Sequence, residues 1–327
     1  MAARITVVGA GVLGLSAAVR LAEHGHEVDV LARDLPLETA SALAGLWLPE
    51  PAPAGPHPIP PDMRARTRRW AAAALAELRV LAADPASGVR LLPGTLLHAR
   101  PVPPPGWASP EFGLQLHACA DPAPGYPFGY RATLPVVDAP RYLEQLRGRL
   151  IRAGGTLTRL PLAALPPRGV VVNCTGVSAR ALAGDPEVRP VRSQLVVLAD
   201  PGLRQWCWDG ESADHLLWVL PRGHDVVVGG TAQDGSWDSA PDPQTARRLL
   251  RRAVATVPAL DGAAVLGHRV GLAPGRLLPR LEVEHRPHAD DPRHAIVHCY
   301  GHGRSGLTWS WGCADDVLAE VNALVTA

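Results

Sequence analysis

The stretch RITVVGAGVLGLSAAVRLAEHGHEVDVLARD, residues 4–34, constrains the fold more than any other part of the chain. A short apolar run, Arg4 to Val8, leads into Gly9, Gly11 and Gly14 in G-x-G-x-x-G spacing. Leu13, Ala17 and Leu21 then recur at every fourth position, Gly25 stops the helix they predict, and Glu27 to Leu31 reads as a second strand. This is a βαβ unit with a dinucleotide fingerprint. Gly9 makes the tight turn, Gly11 lets a pyrophosphate approach the backbone, and Gly14 allows close helix–strand packing. The helix opens at Val12 and Leu13, and its free amides and partial positive charge face the phosphates. Past the last glycine, Asp34 stands where a ribose-binding acid is expected, and Arg33 beside it suits the extra phosphate of NADP. Spacing alone leaves both readings open.

At 327 residues the chain has room for one large domain or two intimately joined ones. Its 32 basic residues are all arginine, set against 31 acidic ones. That balance gives no long-range field to attract nucleic acid or an anionic membrane, and it favours a small neutral or zwitterionic substrate. The absence of lysine excludes Schiff-base chemistry of the pyridoxal-phosphate kind. The Ala, Arg, Pro and Gly excess without lysine points to a GC-rich bacterial source. Five scattered cysteines without a C-x-x-C pair read as reduced thiols in a cytoplasmic protein, with no metal site expected. A strand starting at Arg4 leaves no room for a signal peptide, and no apolar run approaches a membrane span.

Proline-rich stretches at 49–61 and 101–110 predict surface connections, because proline breaks both helix and central strand. Apolar runs such as HLLWVLP, DVVVGGT and LHACA predict a mixed sheet in the middle of the chain. Near the end, HCYGHGRSGLTWSWGCA, residues 298–314, carries four glycines, which implies that something approaches the backbone closely. Val317, Leu318, Val321 and Leu324 mark an apolar face on the helix that follows.

ARDLPLETASALAGLW (32–47), VVNCTGVSAR (171–180), PVRSQLVVL (190–198) and YGHGRSGLTWSWG (300–312), with the N-terminal glycine turn, occur in one order from end to end. In this the chain resembles the D-amino acid oxidase family of FAD enzymes. The resemblance implies an α/β fold in which a Rossmann-type FAD-binding domain, at 1–50, 135–192 and 265–327, is interleaved with a mixed-sheet substrate and oligomerisation domain, at 51–134 and 193–264. It implies that Gly303, Gly306, Leu307 and Thr308 contact the flavin, on a turn whose helix N-terminus stabilises negative charge on the reduced ring by about 0.3 to 2 kcal/mol. Thr39, Ser41, Gly45 and Leu46 line the flavin by the same carry-over, Leu162 touches the adenine side through its backbone, and Cys174, Thr175 and Gly176 end a strand close to the cofactor. Cys174 is expected to be packed rather than reactive.

The implied activity is oxidation of D-amino acids or close derivatives: hydride passes from the substrate α-carbon to flavin N5, giving an imino product and, with oxygen, hydrogen peroxide. No side-chain base is needed, and the backbone carbonyl of Arg304 accepts a hydrogen bond from the amine. A homodimer is also expected. The departures from the family pattern lie in substrate recognition. In VGLAPGRLLPRLE, Ala273 stands where the family carries its carboxylate-binding arginine, and Trp218 replaces an assisting tyrosine. A second, lid-like tyrosine position falls near Asp214. Arg304, Arg276 and Arg222 are the candidate replacement cations; otherwise the substrate carboxylate is masked or missing. An amine or N-methyl amino acid oxidase, a dehydrogenase that avoids oxygen, and a flavin-binding scaffold without turnover are the alternatives, although sarcosine-type relatives use a lysine that this chain lacks.

Overall fold

The computed structural model describes residues 2–39, 45–49, 59–109, 112–210, 216–287 and 291–326. The chain begins as expected, with β1 (Arg4–Val8), α1 (Val12–Glu23) and β2 (Glu27–Ala32). It leaves this unit through the short α2 (Pro36–Thr39) and the long α3 (Pro61–Leu81) to β3 (Val89–His98), β4 (His117–Ala123) and β5 (Tyr126–Val137). Helix α4 (Ala139–Arg152) leads back to β6 (Thr156–Arg159), β7 (Val170–Asn173) and α5 (Ala179–Leu182). A second excursion comprises β8 (Arg189–Ala199), β9 (Trp206–Asp209), β10 (Leu217–Pro221), β11 (Asp225–Gly229), β12 (Gln233–Asp234), α6 (Pro243–Thr256) and β13 (Val265–Gly275). The chain closes with β14 (Arg280–His285), β15 (Ala295–Tyr300) and α7 (Gly306–Thr326).

The first sheet has the order β14-β15-β7-β1-β2-β6, parallel except at the β14–β15 edge. The central strand β1 is flanked on both sides, with Val8 aligned to Leu31 and to Asn173, so the carboxyl ends of β1, β2 and β7 lie together. Helix α1 covers this sheet with Leu15, Ala17, Ala18, Val19 and Leu21 fully buried. Burial on nearly every face is possible because α4 and α7 both pack against it.

The second sheet runs β12-β8-β11-β10-β9-β3-β5-β4, with β13 also paired to β8. All its pairs are antiparallel except β3–β9, which makes it the expected mixed sheet. Helix α6 starts cleanly, with the Asp242 carboxylate accepting from the amides of Gln244 and Thr245 and proline at the first helical position. Ala246, Leu249 and Ala253 of α6 cover Val196, Leu198, Leu217, Val219, Val226 and Val228 on one sheet face. The other face, carrying Trp206, Trp218, Leu195 and Leu220, joins the core that contains α1 and α7.

Strand pairing and helix packing run across the expected domain division at three places. Residues 265–275, expected in the nucleotide domain, form β13 and pair with β8 over its whole length. The expected break after residue 192 falls inside β8, which begins at Arg189. Helix α3, expected with the substrate domain, lies on α7: Trp70 sits 6.1 Å from Trp309, and a Cβ on Gly312 would meet the Trp70 backbone at 2.2 Å. Apolar spacing identifies a strand or helix but does not name the partner against which it is buried.

Candidate active site

The glycine turn is built as its spacing predicts. Gly9 has φ +111°, and a Cβ there would meet the Cys174 carbonyl oxygen at 2.3 Å; one on Gly14 would meet the Gly9 carbonyl oxygen at 1.9 Å. A Cβ on Gly11 would meet nothing within 4 Å. Two glycines are therefore consumed by backbone packing, while the third faces open space at the N-terminus of α1. A pyrophosphate fits this arrangement, since the first amides of a helix lack intrahelical partners and nothing lies within 4 Å of the Gly11 Cβ position. Arg33 and Asp34 follow β2 and are joined to one another, with Arg33 Nε and Nη2 donating to Asp34 Oδ2 at 2.9 and 2.6 Å. Leu162 lies half-buried beside Val8, Val171 and Ile296 at the same sheet.

The late glycine turn converges on the early one. Gly306 opens α7 with its Cβ position 3.6 Å from Val12 Cγ1, so the N-termini of α1 and α7 are neighbours. Gly303 has φ +54° with nothing within 4 Å of its Cβ position, a second open backbone surface. The Thr308 hydroxyl accepts from the Leu48 amide at 3.3 Å and donates to the Leu48 carbonyl at 3.1 Å. This ties the segment carrying Gly45 and Leu46 to the first turn of α7. Gly45, at φ +93°, packs its backbone against Val137, whose amide donates to the Gly45 carbonyl at 2.6 Å. Leu46 and Leu307 are buried, and Thr39 is held by a 3.0 Å bond from its hydroxyl to the Pro36 carbonyl. Ser41 and Asp214 lie outside the described residues.

Behind the turn after β7 runs a buried polar chain that the sequence reading missed. Asn173 Oδ1 accepts from the Thr175 amide at 3.2 Å and the Thr175 hydroxyl at 2.8 Å. Its Nδ2 donates to His298 Nδ1 at 3.1 Å, and His298 Nε2 then donates to Glu284 at 2.8 Å. Burial lowers the His298 pKa, while Arg286 first, and then His298, hold Glu284 down at about 2. A neutral imidazole thus locks the Thr175–Gly176 turn, and Gly176, at φ +57°, has nothing within 4 Å of its Cβ position. Cys174 is buried as expected, its thiol pushed well above the ordinary range by a hydrogen bond with Cys299 and then by burial. All five cysteines are free thiols.

On the substrate side, strand register decides which residues share a face. Trp218 lies opposite Trp208 on one side and Gly229 on the other, and Gly229 lies opposite Leu195. Val191, four residues before Leu195 on β8, points the same way and lies opposite Ala273. Ala273, Trp218 and Trp208 therefore face the core between the sheets together, and β13 also packs on the turn at Gly303–Ser305. Trp218 is 1% exposed and stacks on Trp208 with centroids 5.1 Å apart and planes 16° apart. Neither indole Nε1 has a hydrogen-bond partner among the described residues. Trp208 was not among the expected residues; the i, i+2 pair Trp206 and Trp208 was the available signal for a shared face.

The candidate cations are already occupied. Arg276 donates to Asp185 at 3.0 Å and to the Leu278 carbonyl at 2.9 Å, and it also pairs with Glu187 at 3.1 Å. Arg222 grips Asp225 through Nε at 2.7 Å and Nη2 at 2.5 Å, with Asp138 3.5 Å away. Both arginines make internal ion pairs, and leaving Asp185 and Asp225 would strand buried charge. Arg304 is half-buried on the turn before α7 and is itself engaged within the protein.

Comparison with known proteins agrees with this geometry. A family model described as FAD dependent oxidoreductase matches residues 4–320. The chain is 44% identical to a D-amino-acid oxidase of Rubrobacter xylanophilus, over 99% of this chain and 97% of that one. It is 41% identical to a D-amino-acid oxidase of Streptomyces coelicolor, over 95% and 94% of the two chains. Among solved structures, a glycine oxidase from Bacillus cereus superposes with a TM-score of 0.77 at 17% identity, covering 98% of this chain and 95% of that one, which is a likeness of fold. With two glycine turns that leave backbone open to a dinucleotide and a family match over nearly the whole length, this chain belongs to the FAD dependent oxidoreductase family that includes the D-amino-acid oxidases.

Proposed function

We propose that the protein oxidises the Cα–N bond of D-α-amino acids or their close derivatives, using FAD and oxygen and releasing an imino product and hydrogen peroxide. The observation that carries this reading is the convergence of the α1 and α7 N-termini, with open backbone at Gly11 and Gly303, beneath a sheet face bearing Trp218 and Ala273. FAD, when bound, supplies the two-electron acceptor that oxygen regenerates.

Gly9, Gly11, Val12, Leu13 and Gly14 hold the pyrophosphate, and Arg33 and Asp34 hold the adenosine ribose end. Thr39, Gly45, Leu46, Thr175, Gly176, Gly303, Gly306, Leu307 and Thr308 surround the remainder of the cofactor. The Arg304 backbone carbonyl accepts a hydrogen bond from the substrate amine and so orients the α-hydrogen. Leu46, Leu307 and Trp218 exclude water, which strengthens each polar contact made there. Correct placement of the reacting atoms is the main catalytic contribution, and it needs no titrating side chain.

The assembly is a homodimer in this proposal and its location the cytoplasm; no helix among the described residues is long and apolar enough to cross a membrane. The test is a panel of D- and L-amino acids, their amides and simple amines, mixed with the holoenzyme under exclusion of air while flavin absorbance is followed. Bleaching by the D-series and peroxide release on admitting oxygen support the proposal. Bleaching by amines alone, or none, refutes it.

A further inference from the structure

We infer that Cys299, His302 and Cys313, with Cys174 as a fourth ligand, form a closed structural zinc site that ties the late glycine turn to the sheet beneath it. The inference goes beyond the oxidase reading, because the ion takes no part in the reaction. The Sγ atoms of Cys299 and Cys313 and a ring nitrogen of His302 all lie within 4.8 Å of one another, and none of the three residues is more than 2% exposed. Around a tetrahedral zinc the ligand atoms stand about 3.5 to 3.8 Å apart, so these atoms are within about 1 Å of ligand spacing. The local sequence accounts for the grouping. Cys299, near the end of β15, and His302, in the turn after it, have C-x-x-H spacing, and Gly301 at φ +83° and Gly303 at φ +54° reverse the chain there. Helix α7 then returns over the sheet and brings Cys313 Sγ to 3.3 Å from His302 Nε2. Cys174 follows Asn173, which the parallel register of β7 and β15 sets opposite His298, so its thiol reaches Cys299 and hydrogen-bonds to it.

The donor set is three sulfurs and one imidazole, with no carboxylate among them. Such soft ligands select zinc over magnesium, calcium or manganese, and three cysteines with one histidine make a recurrent closed structural set. The chain offers His302 little else. Its Nε2 has only the weak contact with sulfur, and its Nδ1 is buried without a partner among the described residues. A buried imidazole so poorly satisfied costs stability, which a metal bond to the ring recovers. Trp70 and Trp309 pack on the same ring at 5.9 and 6.0 Å between centroids and keep water from the ion. Cys119 and Cys207, on β4 and β9 of the second sheet, have no comparable group around them among the described residues. Because binding displaces thiol protons inside a closed core, the ion is taken up as the chain folds around it.

The test uses the holoenzyme, made without an added histidine tag in medium containing zinc, or cobalt in its place. After dialysis against EDTA, about one zinc per chain is expected by plasma mass spectrometry. The cobalt form should show thiolate-to-metal charge transfer and the intense visible bands of a tetrahedral ion, read as its difference from the zinc form so that the flavin cancels. Cys299→Ser and Cys313→Ser should each lower the retained metal about tenfold or more, whereas Cys119→Ser leaves it unchanged. In urea, the parent refolded with EDTA should unfold at a lower midpoint than the parent refolded with zinc, and Cys299→Ser at the same midpoint in both. If the serine variants fail to fold, the metal content and cobalt spectrum of the parent decide. Less than about a tenth of an ion per chain in the parent, a cobalt spectrum without thiolate bands, or zinc retained equally by Cys299→Ser overturns the inference.

Discussion

At the Gly9–Gly14 turn the constraints are backbone against backbone, whereas on the second sheet they are set by side chains that strand register brings together. The turn admits no substitute for glycine at two positions, since a Cβ would lie 2.3 and 1.9 Å from carbonyl oxygens. The sheet face carries Ala273 and Trp218 where the resembled family has arginine and tyrosine, and both are buried. The difference teaches that at the turn backbone sterics dictate the residue, while on the sheet face the strand register fixes which side chains meet and not what they are.

The sharpest way to break this contrast is at the turn itself. Gly14→Ala should cost about 3 kcal/mol or more in stability, since backbone cannot yield as a side chain can, and should weaken FAD binding beyond detection. Chemical unfolding and FAD titration check both. Gly11→Ala sharpens the point: with open space around it, thermal stability without FAD should be unchanged, while FAD affinity falls about tenfold because the pyrophosphate needs that space. If the two variants behave alike, the division between packed and open glycines is wrong.

On the sheet, Gly229→Ala presses a Cβ to 2.2 Å from the Trp218 ring. It should cost about 1 to 3 kcal/mol, less than Gly14→Ala because an aromatic ring can tilt, and should raise KM while leaving FAD affinity intact. Ala273→Arg should lower the melting temperature of the holoenzyme by stranding a cation, and D-alanine should restore part of the loss through binding linkage.

A smaller effect tests whether the nucleotide half also depends on side-chain polarity. Trp311→Phe removes its hydrogen bond to the buried Tyr142 hydroxyl and should cost about 1 to 2 kcal/mol in urea unfolding, with kcat unchanged. The smallest effect concerns Glu284. Its folded-state pKa of about 2 lies below the ordinary 4.5, so its contribution is complete above pH 4.5 and is lost as pH falls towards 2. Glu284→Gln should flatten the pH dependence of unfolding in that window and lower stability at neutral pH, where the carboxylate's contribution is complete.

Much of the first half of the site was legible in advance. The β1–turn–α1–β2 unit, the glycine roles, the strands β10 and β11 and the buried Cys174 all follow from local spacing and sterics. The Glu284–His298–Asn173 chain was not legible, because His298 meets Glu284 only through the pairing of β14 with β15 and meets Asn173, 125 positions away, only through the pairing of β15 with β7. Nor was the capture of Arg276 by Asp185, 91 residues apart.

By itself, then, the sequence determined where the chain must turn, which glycines cannot bear a side chain, and that no lysine is present for chemistry. Only the tertiary structure decided that residues 265–275 join the second sheet, that Trp208 stacks on Trp218, and that the nearby arginines are already paired. The physical reason is range. Backbone sterics and helical period act between close neighbours along the chain, while charge compensation and hydrogen-bond satisfaction depend on whatever group the register of distant strands delivers within about 3 Å.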